Sequence, residues 1–149
     1  MSEINTIRII IDSLLFMLIL LVQLIIYPAF HNINIEVFSE WHHSYMQKIS
    51  IIVGPLMLIQ PVIIISQCLT QNTFLCYLSI IMILIVWIVT FIYSVPCHNL
   101  LQQEGYDKVI VDKLIITNWF RTIPWMICLF LGYLISQKKL GIFFQQLLD

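Results

Sequence analysis

The chain has 149 residues, 60% of them hydrophobic and 10% charged, with a net charge of −1 and a mean hydropathy of +0.96. Soluble domains carry about 25% charged residues, so this composition excludes an ordinary water-soluble globule and makes lipid the solvent for much of the surface. The near-zero charge without a basic run excludes a nucleic-acid-binding surface, and the length suits one domain over 1–149.

Four stretches reach the roughly 20 mostly apolar residues that a membrane-crossing helix needs. Lipid forces backbone groups to bond internally, so each is expected to be helical. The fold expected is therefore all-α, an integral membrane four-helix bundle with spans near 7–29, 49–69, 74–95 and 114–136. The first span carries Asp12 and Gln23 as polar intrusions. Its apolar run exceeds the usual 7–15 residues of a signal peptide, and Tyr27-Pro28-Ala29-Phe30 is a poor cleavage site, so it reads as a retained span. Asp12 sits four residues from Arg8, the helical spacing of an ion pair.

The connection over 30–48 places Val37, Phe38 and Trp41 at helical spacing, as in a short interfacial helix. Span two contains Pro55 and Pro61, each removing a helical donor, and a loosened helix is expected there. Span three has no charged residue. After it, Asn99 suits the start of a short helix stopped at Gly105, and Asp107 suits the cap of a helix leading into span four. The tail around Lys138 and Lys139 reads as a second interfacial segment.

Four spans put both termini at one membrane face and all four histidines at the other. Lys and Arg number three at the terminal face (Arg8, Lys138, Lys139) and four at the histidine face (Lys48, Lys108, Lys113, Arg121). With Arg121 embedded and Lys48 inside a helix, the positive-inside rule leans toward cytoplasmic termini in a multi-pass protein of a bacterial inner membrane.

Polar groups near hydrocarbon are costly and are kept for a reason. Arg121 lies about 10 Å inside the fourth apolar run at 1.5 Å per residue, with Asn118 three residues before and Trp125 four after, all on one face. That set reads as a substrate-binding wall, with Asn99 nearby, holding the polar oxygens of a ligand. His98 closes span three, and His42 and His43 open span two. They are the candidates for proton transfer, or for holding haem or a transition metal. Adjacent residues point about 100° apart on a helix of 3.6 residues per turn, so only one of His42 and His43 can face inward. No H-x-x-x-H pattern accompanies them. The four cysteines form no C-x-x-C pair, but Cys68 and Cys76 flank one short turn.

Pro96, His98, Asn99, Leu101, Asn118, Trp119, Arg121 and Thr122 form a pattern of P-x-[HN]-N-x-L after span three and N-W-x-R-T opening span four. It resembles that of the anthrone-oxygenase-like family of small four-span bacterial membrane proteins. The likeness covers the four-span layout and residues 95–125. It implies a four-helix membrane fold and, more distantly, oxygenase chemistry.

Three functions follow from these residues. One is an oxidoreductase or oxygenase-like enzyme acting on a hydrophobic, quinone-like small molecule within membrane lipid. Another is a non-enzymatic binding or accessory subunit whose polar cluster ties helices together. The third, a transporter, needs polar groups at several depths and an oligomer.

Overall fold

The computed structural model describes the backbone of residues 3–148 and the side chains of 3–137; among these there is no strand. Four helical rods run Glu3–Asn32, Ile35–Gln71, Phe74–Gln103 and Lys108–Leu148, and each is long and apolar enough to cross a membrane. They are called spans one to four below. The protein is an all-α, membrane-type four-helix bundle. The expectation for the Lys138–Lys139 tail lies outside the residues whose side chains are described.

Span one shows why the bundle suits lipid. Arg8, Asp12, Leu15, Ile19 and Val22 are buried, whereas Ile7, Ile10, Leu14, Met17 and Leu21 are exposed. Both sets repeat every three to four residues, so the helix has two faces. The charged residues are inside and the aliphatic ones outside, the reverse of a soluble helix. Span four is the most enclosed, 44% buried across its most apolar window, against 17% for span two. Span four accordingly packs along both span one and span three.

The rods end where the sequence allows. Asn34 caps span two by accepting from the Glu36 amide at 3.0 Å. Asn72, in the left-handed conformation (φ 43°), turns the chain into span three. Gly105 (φ +85°) stops span three, and Asp107 caps span four by accepting from the Val109 and Ile110 amides.

Several boundaries differ from the sequence expectation. The 35–48 segment is not a separate interfacial helix. No proline or glycine separates it from span two, and the two form one helix of 37 residues. Asn99 caps nothing, because it lies inside the continuous helix Val95–Gln103. Pro55 and Pro61 both lie inside span two, which stays α-helical throughout.

The loosened turns are in spans one and three instead. Each has one π-helical turn, Val22–Ile26 and Thr90–Ser94, closed by the Tyr27 amide donating to Val22 and the Val95 amide to Thr90. Each is followed directly by a residue-proline pair, Tyr27-Pro28 or Val95-Pro96. The proline has no N–H for the carbonyl four residues back, and widening the preceding turn re-pairs the ladder.

Near the terminal end the interior holds a polar network. Arg8 Nε donates to Asp12 Oδ2 at 2.6 Å, Nη1 to Gln67 Oε1 at 2.6 Å, and Nη2 to Ser79 Oγ at 3.0 Å and the Cys128 carbonyl at 3.2 Å. Gln60 Nε2 donates to Asp12 Oδ1 at 2.7 Å, and Trp125 Nε1 donates to Gln60 Oε1 at 2.9 Å. Asn5 joins through Gln67 and Gln71. Arg8 and Asp12 are both fully buried, and this one network ties all four spans together.

Burying Arg8 and Arg121 also removes both from the interfacial charge count.

Gly132 makes room for the ion pair. A Cβ there would lie 3.2 Å from Asp12 Oδ2 and 3.4 Å from Arg8 Cγ and Nε. The carboxylate cannot retreat, being held by Arg8 on one oxygen and by Gln60 on the other. Gly132→Ala is therefore expected to cost about 1–3 kcal/mol by overpacking, seen as a lower unfolding midpoint in detergent. An unchanged midpoint would mean the pair can shift without loss.

Candidate functional site

At the histidine end, span four meets the two π turns. Asn118 Nδ2 donates to Gln23 Oε1 at 2.9 Å, and Gln23 Nε2 donates to the Ile115 carbonyl at 3.0 Å. Arg121 Nη1 donates to Ser94 Oγ at 3.1 Å and to Asn118 Oδ1 at 3.3 Å. Gln23 belongs to the π turn of span one and Ser94 to that of span three. Each widened turn thus presents one polar side chain to span four. The Arg121 guanidinium lies over the Trp125 ring, 5.3 Å from its centroid, a cation–π contact. The sequence-predicted wall of Arg121, Asn118 and Trp125 is assembled.

Across from it runs a string of three groups. The Tyr27 hydroxyl is 2.9 Å from His98 Nε2, and His98 Nδ1 is 3.0 Å from His42 Nε2. Two ring nitrogens facing each other at that distance share one proton, so one of them is the acceptor and its ring is neutral. Aromatic rings hold the string in place. Phe38 stacks on His42 at 5.5 Å, His42 stacks on His98 at 5.2 Å, and Phe30 meets both histidines edge-on.

Between wall and string lies a cavity of about 200 Å³ lined by all four spans. Its polar groups are Tyr27, Tyr45, Ser50, Thr90, Ser94, His98 and Arg121, and the rest of the lining is apolar. Arg121 is its one formally charged lining residue. Ser50 on span two and Val95 on span three line it and are exposed, so the cavity opens sideways between those spans.

Two buried polar atoms here lack a hydrogen-bond partner, Arg121 Nε and His42 Nδ1. Buried donors are nearly always satisfied; the third such atom among the described residues, Asn5 Nδ2, belongs to the Arg8 network, so unpartnered groups occur at both polar ends of the bundle.

The other candidates lie elsewhere. His43 is exposed and bonds to Gln47 Nε2, while Asn99 is exposed and does not line the cavity. His42, His43 and His98 therefore form no common ligand set, and among the described residues no group of three His, Cys, Asp or Glu could hold a metal ion. His98 spends both ring nitrogens on Tyr27 and His42, leaving only His42 Nδ1 free. One free imidazole nitrogen falls short of the ligand set of a protein-held transition-metal ion. His31 has a structural role, with Nδ1 against the Tyr106 hydroxyl at 2.9 Å and Nε2 3.0 Å from Asp112. Cys68, Cys76 and Cys128 are free thiols packed in one apolar cluster toward the terminal end.

Three site residues go beyond the sequence-predicted set. Tyr27 resembles an interfacial belt tyrosine, Gln23 an interhelical tie, and Ser94 carries no signal of its own. The nearest sequence signal is positional, since each precedes a proline by one to five residues on spans one and three.

Fold and site together define a membrane four-helix bundle with a buried, laterally open polar cavity. No family model, curated protein or solved structure matches the chain.

Proposed function

We propose that the protein binds a hydrophobic, ring-sized molecule bearing polar oxygens, quinone-like in its chemistry, and exchanges a proton with it. The observation that carries this reading is Arg121, which is 7% exposed, has an unpaired Nε and faces the cavity. A cavity of about 150 Å³ accommodates benzene, so the somewhat larger one here suits a single substituted ring. The opening between spans two and three would let a tail pass into lipid.

In this reading Arg121 holds a ligand oxygen, Asn118 and Ser94 fix the guanidinium, and Trp125 forms the apolar floor. Tyr27 and His98 line the cavity, whereas His42 lies behind them. With protons on His42 Nε2 and His98 Nε2, the Tyr27 hydroxyl is free to donate into the cavity. It passes its proton to the ligand oxygen, His98 Nε2 reprotonates Tyr27, and His42 Nε2 reprotonates His98 at Nδ1. His42 then takes a proton at Nδ1, and the string ends in the opposite tautomer. The two transfers within the string run along existing hydrogen bonds, and the proton that His42 takes at its unpartnered Nδ1 comes from bulk solvent. An oxidoreductase built on this site would draw its electrons from a separate partner.

Methylbenzoquinone titrated into the detergent-purified protein tests this. Trp125 borders the cavity, so saturable quenching of tryptophan fluorescence is expected. Arg121→Gln is expected to weaken binding about tenfold, the loss of one charge-assisted contact. Linear, non-saturating quenching in both proteins would refute the reading.

A further inference from the structure

The two buried arginines of this bundle are a matched comparison. Arg8 has a carboxylate at 2.6 Å, and three further acceptors occupy its two terminal nitrogens. Arg121 has two neutral acceptors on Nη1, an orphaned Nε, and no carboxylate within ion-pair distance among the described residues. Guanidinium is charged at any accessible pH, and a buried charge without a countercharge is strongly disfavoured. One end of the protein neutralises its arginine internally, and the other leaves it facing a cavity.

We infer that the ligand of the Arg121 cavity is a lipophilic monoanion, a single oxygen-bearing ring that also carries a carboxylate or an equivalent oxyanion. This rests on the cavity being the binding site, as proposed above, and adds the charge of what binds there. The lining supplies one positive charge and no negative one, so a monoanion makes the filled site neutral. The donors fit the same class. The Arg121 guanidinium lines the cavity and can give one bond to an anionic oxygen there, and the Tyr27 hydroxyl can give a second whenever His98 supplies a proton to it rather than accepting one. Such charge-assisted bonds are the strong ones. A phosphomonoester, near −2 at neutral pH, would leave a charge unmatched. The bulk of a phospholipid headgroup also exceeds a cavity of this size.

Four one-ring probes of similar size decide it: 4-butylbenzoate, 4-butylbenzyl alcohol, 4-butylbenzylamine and methylbenzoquinone. Each is titrated by tryptophan fluorescence into the full chain in a neutral detergent. The benzoate is expected to bind about tenfold or more tighter than the alcohol, and the amine weakest of all. Arg121→Gln should abolish the preference for benzoate over alcohol, and Arg121→Lys should keep part of it. The wild-type comparison needs no variant, so a misfolded variant does not weaken it. Equal binding of benzoate and alcohol would overturn the monoanion assignment while leaving the cavity reading intact. Saturable binding by none of the four would bring down both. Displacement of the benzoate by equimolar dioleoyl phosphatidylglycerol would overturn the small acid in favour of a lipid phosphate.

Discussion

Arg8→Ala is expected to cost the fold about 3–5 kcal/mol, the usual penalty for removing one partner of a buried ion pair. The fully buried carboxylate of Asp12 would keep only its bond from Gln60, and Gln67 and Ser79 would lose a shared donor. All four spans feel the loss, since the guanidinium reaches side chains on spans one, two and three and a carbonyl on span four. The measurement is the temperature at which the monodisperse peak disappears in size-exclusion chromatography. The paired replacement Arg8→Met with Asp12→Leu removes both charges together and should recover much of the loss, because well-packed apolar groups often replace a buried pair at little cost. A double variant less stable than Arg8→Ala would show that shape, rather than charge balance, dominates at that position.

His98→Leu separates structure from chemistry at the other end. It strands the Tyr27 hydroxyl and His42 Nε2 in an aromatic shell, each at about 1–3 kcal/mol for an unsatisfied buried group. The triple variant Tyr27→Phe, His42→Phe, His98→Leu removes the whole string and should regain most of that stability, since apolar replacement of all partners leaves nothing unpaired. Proton exchange with a bound ligand, followed as pH-indicator release on mixing, is expected to be lost in both. If the triple variant stays folded and releases protons as the wild type does, the string only ties helices together and the accessory-subunit reading prevails.

The contrast between the two ends also explains what was legible in the sequence. The spans were readable because their apolar runs are long and nearly uninterrupted. The Arg121–Asn118–Trp125 wall was readable because spacing of three and four fixes a helix face. The Arg8–Asp12 pair was readable as a spacing, but not its depth: in the first turns of the apolar run, it looked interfacial. Its remaining partners lie far off in sequence, Gln67 at a separation of 59 and Ser79 at 71, and only folding brings them in. The choice between His42 and His43 was left open by helix geometry and closed by span three arriving on the side of His42. Asn99 was assigned by adjacency to His98, yet neighbouring positions on a helix diverge by about 100°, which turns it outward. Nothing local announced the π turns except the prolines behind them.

Those two widened turns carry a consequence for phase. A π turn accommodates one extra residue in a helix, and each residue in an α-helix turns the chain by about 100°. Everything beyond Ile26 on span one, and beyond Ser94 on span three, is therefore rotated by that step relative to an uninterrupted rod. Tyr27 and His98 both lie just past the offset. With the extra residue removed, the lower parts of both rods could keep their contacts with span four while Tyr27 and His98 swung out of the bundle. The hydrogen-bonded string thus exists because two parallel helices each slip their register once, at the same level, as a worn thread lets a nut turn one notch further.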